Sequence, residues 1–160
     1  RGKMKLSSSF EKGVCILALL STQKRNVALS AEVINSRINV SASYIKKIIR
    51  KLVVAKIIVS VSGNNGGFSL AKKPNHITLH DVVVALEGHT DTYPNSGLFN
   101  ATFRGLKGAK VGDAFIHHII KEADNRWSEY LKGKTISDVI KHLQNEELFT
   151  VVDWNSFSRE

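Results

Sequence analysis

Apolar residues recur with a helical period over residues 41–56, the stretch on which the prediction of fold and function rests. Five apolar side chains repeat every three or four positions and therefore share one face of a predicted helix. They are Ile45, Ile48, Ile49, Leu52 and Val53. Ser41 lies where its hydroxyl can cap the first turn. The pattern predicts a helix that packs one side against a core.

The predicted helix carries five basic residues, counting Lys56, and no acidic one. They include Lys46, Lys47, Arg50 and Lys51. Solvated surface helices usually mix Glu with Lys, because pairs of opposite charge four residues apart stabilise the helix. A face of cations alone favours a polyanion as partner, and the DNA major groove accepts such a helix. From this helix alone, an ordinary solvated surface remains an equal alternative.

A helix is also predicted over residues 8–22, near the start of the chain. Ser8 and Glu11 have the spacing of a capping box. The run VCILALL (14–20) is apolar on every side, so we expect this helix to be buried all round, by the chain itself or in part by a second subunit. Cys15 falls within the run and is expected to be a small buried hydrophobic side chain.

A short helix over residues 31–37 separates these two helices, with Ser30 as its cap. Its inward side chains are predicted to be Ala31, Val33 and Ile34. Asn39 can adopt the left-handed conformation that ends a helix, and Ser41 starts the next one. Two helices joined by so short a turn, the second one basic, make a helix-turn-helix.

A β-hairpin is predicted directly after the basic helix. Residues 57–61 are β-branched and apolar, 62–67 are rich in Gly and Asn, and 68–71 alternate as a return strand. A hairpin behind a helix-turn-helix is a wing. We therefore expect a mostly α-helical fold with a small β-hairpin, a winged helix-turn-helix domain over residues 4–88.

The second half of the chain is predicted to be helical. Thr78 and Asp81 have capping-box spacing before a helix with Leu79, Val82, Val83 and Leu86 inward, and Gly88 can end it. Residues 89–112 are turn-rich and are predicted to be a loop. A long helix over 113–131 follows, with an apolar stripe at Phe115, Ile116, Ile119, Ile120, Ala123, Trp127, Tyr130 and Leu131.

Thr135 and Asp138 have the cap spacing for a last helix, 136–145. Its inward side chains are predicted to be Ile136, Val139, Ile140 and Leu143. The tail, 150–160, shows no usable period. We expect residues 113–160 to form a dimerisation helix and C-terminal region.

The charge of the chain is divided between its two halves. The formal net charge is +9, yet residues 1–80 contain 14 basic and 2 acidic residues, against 9 and 12 in residues 81–160. A basic half joined to a mildly acidic half indicates a polyanion-binding module attached to another unit. The single cysteine excludes an internal disulfide, and no apolar run or signal-peptide pattern indicates a membrane. We therefore expect a cytoplasmic protein.

The segments 41–52, 62–74 and 76–88 resemble, in order and spacing, the Rrf2 family of bacterial winged-helix transcription regulators. The most specific feature is the wing Gly66-Gly67-Phe68, followed by ITLHDVVVALEG. The resemblance implies a homodimer that binds a palindromic operator in double-stranded promoter DNA, and we expect a repressor. It leaves open a small-molecule or protein effector.

The resemblance also implies which residues carry these roles. The DNA contacts it implies are Lys5, Ser7, Ser8, Ser9, Ser41, Ser43, Tyr44, Lys46, Lys47 and Arg50. We expect Lys51 and the wing residues Asn64, Asn65 and Gly66 to bind DNA as well. The dimer contacts it implies are Phe115, Ile116, Ile119, Ile120, Ala123 and Trp127.

Two features depart from the family pattern. Many members bind an iron–sulfur cluster through three cysteines in the loop before the dimer helix, whereas residues 89–112 contain none. Because such clusters are held mainly by several thiolates, we expect a regulator without a cluster or other cofactor. The second departure is Ser62, which stands where the wing often has the Arg that a narrow minor groove attracts.

Other kinds of site receive less support from the sequence. His76 and His80 could hold zinc, but no cysteine or carboxylate cluster accompanies them, so we expect surface histidines and no metal. Tyr93, Phe99, Phe103 and Trp127 could line an effector pocket, although core and dimer contacts are the commoner role of aromatic residues. No catalytic motif indicates an enzyme. The alternative function is a winged helix that binds an acidic protein.

Overall fold

The computed structural model describes residues 4–89, 91–143 and 151–157. Its helices are α1 (Ser8–Thr22), α2 (Ala31–Ile38), α3 (Ala42–Val54), α4 (Leu79–Glu87), α5 (Leu98–Thr102), α6 (Ala109–Lys132) and α7 (Ile136–Leu143). Its strands are β1 (Ile58–Val61) and β2 (Gly67–Leu70), and a 3₁₀ turn covers Pro74–His76. The predicted mostly helical fold with one hairpin is confirmed.

Helix α1 has the predicted extent but buries only one face. Its cap is Ser7, whose extended backbone lets its hydroxyl accept from the Ser9 amide at 3.3 Å, so the prediction of Ser8 as cap is wrong by one residue. Ile16 and Leu17 are fully buried, whereas Cys15 is exposed, because it lies on a side of the helix that no element of the described chain covers. The single chain therefore does not bury this helix on every side, and burial of the remainder by a second subunit stays a prediction.

The helix-turn-helix forms as predicted. The Ser30 hydroxyl caps α2 by accepting from the Val33 amide at 3.2 Å, and Asn39 adopts the left-handed conformation with φ of 55°. Ser41 then caps α3 by accepting from the Tyr44 amide at 3.3 Å. Ala31 is exposed rather than inward, because the first residue of α2 lies on its outer side.

The hairpin is an antiparallel pair in which Ile58 is opposite Leu70 and Val61 is opposite Gly67. Phe68 of β2 also pairs with Leu29, in the segment between α1 and α2, through two backbone hydrogen bonds of 2.9 and 3.0 Å. Strand β2 therefore holds the wing against the helix-turn-helix.

The core joins the two halves of the chain. Buried side chains of α1, α3 and α4 belong to one hydrophobic cluster with Ile136 and Ile140 of α7, which are fully buried. Helix α7 thereby packs the acidic half of the chain against the basic half. Leu143, predicted to face inward, is 66% exposed because the last turn of α7 extends beyond the core. The predicted continuation of this helix to residue 145 lies outside the described residues.

The segment predicted as a loop, 89–112, contains helical structure. Helix α5 lies within it, and α6 begins at Ala109, four residues before the predicted start. Gly112 lies within α6, and the Phe99 ring fits so closely against it that a Cβ would come within 2.7 Å of the ring. Glycine therefore marks helix packing here and not a turn.

Residues 151–157 of the tail fold back onto the start of the helix-turn-helix, although their sequence shows no period. Val152 pairs with Gln23, and the Asn155 side chain donates to the Ala28 carbonyl at 3.0 Å. The Arg37 guanidinium lies 4.5 Å from the Trp154 ring centre and 4.8 Å from that of Phe157. The tail thus braces α2.

Candidate DNA interface

The outer face of α3 presents the predicted cations to solvent. Lys46, Lys47 and Arg50 are exposed, whereas the opposite face of the helix is buried, with Ile48 at 2% exposure and Leu52 at 0%. Among the residues that the structure describes, none of these three cations forms an ion pair; the two pairs present both lie within α6. The three charges are therefore available to an external anion.

The start of α3 is joined to the start of α1 by hydroxyl groups. The Tyr44 hydroxyl shares hydrogen bonds with Ser9 Oγ at 2.7 Å and Ser8 Oγ at 3.4 Å. These bonds, that from Ser8 most of all, lower the pKa of the Tyr44 phenol. Lys12 Nζ lies 5.3 Å from the centre of the same ring. The structure thus brings three predicted contact residues into one polar cluster beside α3.

Ser7 is bonded to the end of α4. Its backbone amide donates to Glu87 Oε1 at 3.0 Å, and its hydroxyl donates to the same oxygen. Glu87 was not among the predicted site residues, because its position in sequence gives no sign that the start of α1 lies beside it. Lys5, two residues earlier, is exposed.

Lys51 differs from the other basic residues of α3. Its Nζ donates to the Leu86 carbonyl at 3.1 Å, in the last turn of α4. The side chain is therefore directed from α3 towards α4, although it lies on the predicted basic face.

The wing presents small polar groups. Ser62, Asn64 and Asn65 are exposed at the turn, which is closed by a hydrogen bond of 3.0 Å from the Gly66 amide to the Gly63 carbonyl. The exposed hydroxyl of Ser43, with Ser41 beside it at 3.4 Å, completes the polar edge at the start of α3.

A groove of about 820 Å³ opens between α3 and α4. Val54, Val84 and Ala85 contribute to its apolar surface, and Lys51 lies at its edge. Packing between the two helices is therefore incomplete on this side.

Helix α6 exposes much of the stripe predicted for dimer contact. Phe115 is 63% exposed, Ile119 48% and Trp127 39%, and Ala123 is also exposed. Ile116 and Ile120 are half-buried, because that side of α6 faces the rest of the chain. Large apolar side chains exposed along one helix indicate a surface that another molecule covers.

The remaining candidate residues are dispersed. Tyr93 stacks on His117 with ring centres 5.0 Å apart, and Phe99 packs on Phe103 at 4.8 Å, so these aromatic residues form separate pairs. No group of three or more metal-ligating side chains occurs among the described residues. Burial of part of the Cys15 side chain, with Glu11 nearby, raises the pKa of its thiol, which disfavours the reactive thiolate.

Comparison with known proteins assigns the architecture to a family. A family model named Rrf2, described as "Iron-dependent Transcriptional regulator", matches residues 6–142. YwgB of Bacillus subtilis, named as an HTH-type transcriptional regulator, is 33% identical over 152 residues, which cover 94% of each chain. YffB of Lactococcus lactis, named likewise, is 34% identical over 94% of this chain and 97% of its own.

Solved structures share the fold. CymR, described as the global cysteine regulator of B. subtilis, aligns with a TM-score of 0.64 and 21% identity over 88% of this chain and 98% of its own. IscR of T. potens aligns with a TM-score of 0.65 and 23% identity, covering 91% and 92%. No helix in the described part of the chain is long and apolar enough to cross a membrane.

Proposed function

The chain belongs to the Rrf2 family of transcription regulators, and we propose that it is a homodimer that binds palindromic promoter DNA through α3 and the wing. Its relatives are regulators and not enzymes. As part of the proposal, it acts in the cytoplasm as a repressor, with the operator covered while the dimer is bound.

The observation that carries the proposal is the contrast between the two faces of α3. One face is fixed in the core, and the other carries Lys46, Lys47 and Arg50 with no anionic partner in the described chain. A rigid helix with unpaired cations suits the major groove, where Arg can bond two guanine acceptors and Lys can neutralise phosphates. The acidic residues lie mainly in the other half of the chain.

The exposed stripe on α6 supports the dimer. Phe115, Ile119 and Trp127 lie on a helix of 24 residues, about 36 Å long. Two copies of such a stripe can cover each other around a two-fold axis, as isologous interfaces do. A two-fold protein then reads a two-fold operator, with half-sites about one turn of DNA apart.

The side chains of this protein do not suit the iron–sulfur cluster that many family members bind. Such clusters need several thiolates, and the chain has only Cys15, which lies in α1. In the segment before α6, Tyr93 and Asn100 both donate to the Asp113 carboxylate, at 3.1 Å each. We therefore include in the proposal a regulator that works without a cluster.

Selection of bound sequences from random DNA duplexes tests the proposal directly. We expect an enriched, two-fold symmetric motif, and gel shifts in moderate salt that depend on both half-sites. Binding only to an acidic protein, with no enriched motif, would favour the alternative in which the basic face contacts a protein. The absence of duplex binding even at low ionic strength would reject DNA binding.

A further inference from the structure

Two parts of the proposed DNA surface, α3 and the start of α1, meet at the last turn of α4. We propose that Lys51 and Glu87 are positioning residues, which tie α3 and the start of α1 to this turn so that the orientation of the end of α4 sets the geometry of the DNA surface. The inference rests on the proposed function and adds a connection between the DNA surface and the rest of the chain. We call the four residues Ser7, Lys51, Leu86 and Glu87 the α4 joint.

The first tie fixes α3. Lys51 Nζ donates to the Leu86 carbonyl at 3.1 Å. This carbonyl is one of the last in α4, where no further turn supplies an amide and where the helix dipole favours a cation. The bond crosses between two helices that an open groove partly separates. It therefore limits the tilt of α3 where packing does not.

The second tie fixes the start of α1. Glu87 Oε1 accepts from both the amide and the hydroxyl of Ser7, the cap of α1. The next residues, Ser8 and Ser9, bond to the Tyr44 hydroxyl of α3. The start of α1 is thus held between α3 and the end of α4.

The third feature is the close packing of Leu86 on α1. A Cβ on Gly13 would come within 2.4 Å of Leu86 Cδ1, so only glycine lets the two helices approach this closely without rearrangement. Leu86 is therefore fixed through its carbonyl by Lys51 and through its side chain by α1.

The chain leaves the α4 joint in the direction of α5 and α6. Gly88 ends α4 with φ of 82°, and the segment leading to α5 and α6 begins there. A change in direction of this segment would act first on Leu86 and Glu87, and through their bonds on α3 and α1. The α4 joint therefore connects the chain that leads towards α5 and α6 with the proposed DNA surface.

The test separates a positioning lysine from one that contacts phosphate. We compare Lys51→Met with its matched control Lys47→Met, in the same helix, by measuring affinity for the selected operator and for random DNA over a range of salt. For Lys47→Met both affinities should fall, and the log–log salt slope should drop by about 0.9. For Lys51→Met operator affinity should fall about five- to tenfold, because α3 is no longer held in place and must be ordered on binding, with random-DNA affinity and slope unchanged.

Glu87→Met provides a second test, in which the direction of the change in operator affinity separates the two explanations. Removing a negative charge beside DNA strengthens binding if charge alone acts, whereas loss of the tie to Ser7 should weaken operator binding. Glu11→Met, which removes a neighbouring exposed charge, is the control and should not weaken it. Lys51→Arg, which keeps a donor, should restore part of the affinity lost in Lys51→Met.

The outcomes distinguish this inference from the proposed function. If the wild-type protein ignores DNA, the proposed function fails and the inference fails with it. If the wild type binds but Lys51→Met lowers the salt slope as Lys47→Met does, or leaves operator affinity unchanged, the inference alone is wrong. Should Lys51→Met not fold, tighter or unchanged operator binding by Glu87→Met would still overturn it.

Discussion

At the scale of single residues, the positions of the basic side chains matter more than their number. Lys47, Arg50 and Lys51 lie within one helix and carry the same charge, yet only Lys51 is bonded within the described chain, to the Leu86 carbonyl. The sequence predicts all three as DNA contacts, with Lys51 at the flank of the basic face, because periodicity reports which face a residue occupies and not which atom its side chain reaches.

Arg50→Lys tests whether Arg50 reads a base. Lysine retains the charge but lacks the planar fork that bonds two guanine acceptors. We expect operator affinity to fall by about 1–3 kcal/mol, with the loss confined to one base position in each half-site. Binding measured on operators changed one base at a time gives the result.

Lys47→Arg is the matched control for this substitution and should leave the base preferences unchanged. If Arg50→Lys lowers the affinity for operator and for random DNA by the same factor, Arg50 contacts phosphate only.

At the scale of elements, caps and turns follow the sequence closely, whereas contacts between elements do not. Ser30, Ser41 and Thr78 cap their helices as predicted, because a cap depends on atoms within three residues. The pairing of β2 with Leu29 and the bracing of α2 by the tail join residues far apart in sequence. Neither contact can be inferred from a local sequence pattern.

Gly67→Ala should weaken the wing. Gly67 has φ of 148°, and a Cβ there would come within 2.2 Å of the Leu29 carbonyl oxygen. Strain and overlap together should lower the free energy of unfolding by about 3 kcal/mol. Gly63→Ala has a positive φ but open space around it, so strain alone should cost about 1 kcal/mol. Urea unfolding compares the two, and equal losses would contradict the close contact.

Trp154→Ala should destabilise the helix-turn-helix from the far end of the chain. It removes the ring beside Arg37 and the indole donor to Thr22 Oγ1, a bond of 2.8 Å. We expect a loss of about 2 kcal/mol in the free energy of unfolding. Hydrogen exchange of α2 amides locates the effect, and unchanged protection there would contradict the bracing role.

At the scale of the whole molecule, the acidic half has one apolar surface that is buried in the core and another that is exposed. Ile136 and Ile140 of α7 complete the core of the winged helix, whereas α6 leaves Phe115 and Ile119 exposed. The half is therefore partly integral to the DNA-binding fold. A boundary drawn from charge alone at residue 80 would divide one core.

Ile119→Glu should convert the proposed dimer to a monomer. A charge placed in an apolar interface must be desolvated without a partner, which costs several kcal/mol. His118→Glu introduces the same charge on the polar side of α6 and should leave the dimer intact. Analytical ultracentrifugation compares the two variants, and a dimer that persists in Ile119→Glu would place the interface elsewhere.

The sequence by itself determined the helix-turn-helix, its caps, the wing and the basic face of α3, because each depends on periodicity or on residues a few positions apart. It also supplied the family resemblance, and the match of the Rrf2 family model to residues 6–142 confirms it. Only the tertiary structure decided that Cys15 is exposed, that Lys51 bonds to Leu86, that Glu87 holds Ser7, and that the tail braces α2. These contacts depend on where distant segments meet, which is settled by packing of the whole core and not by any local pattern.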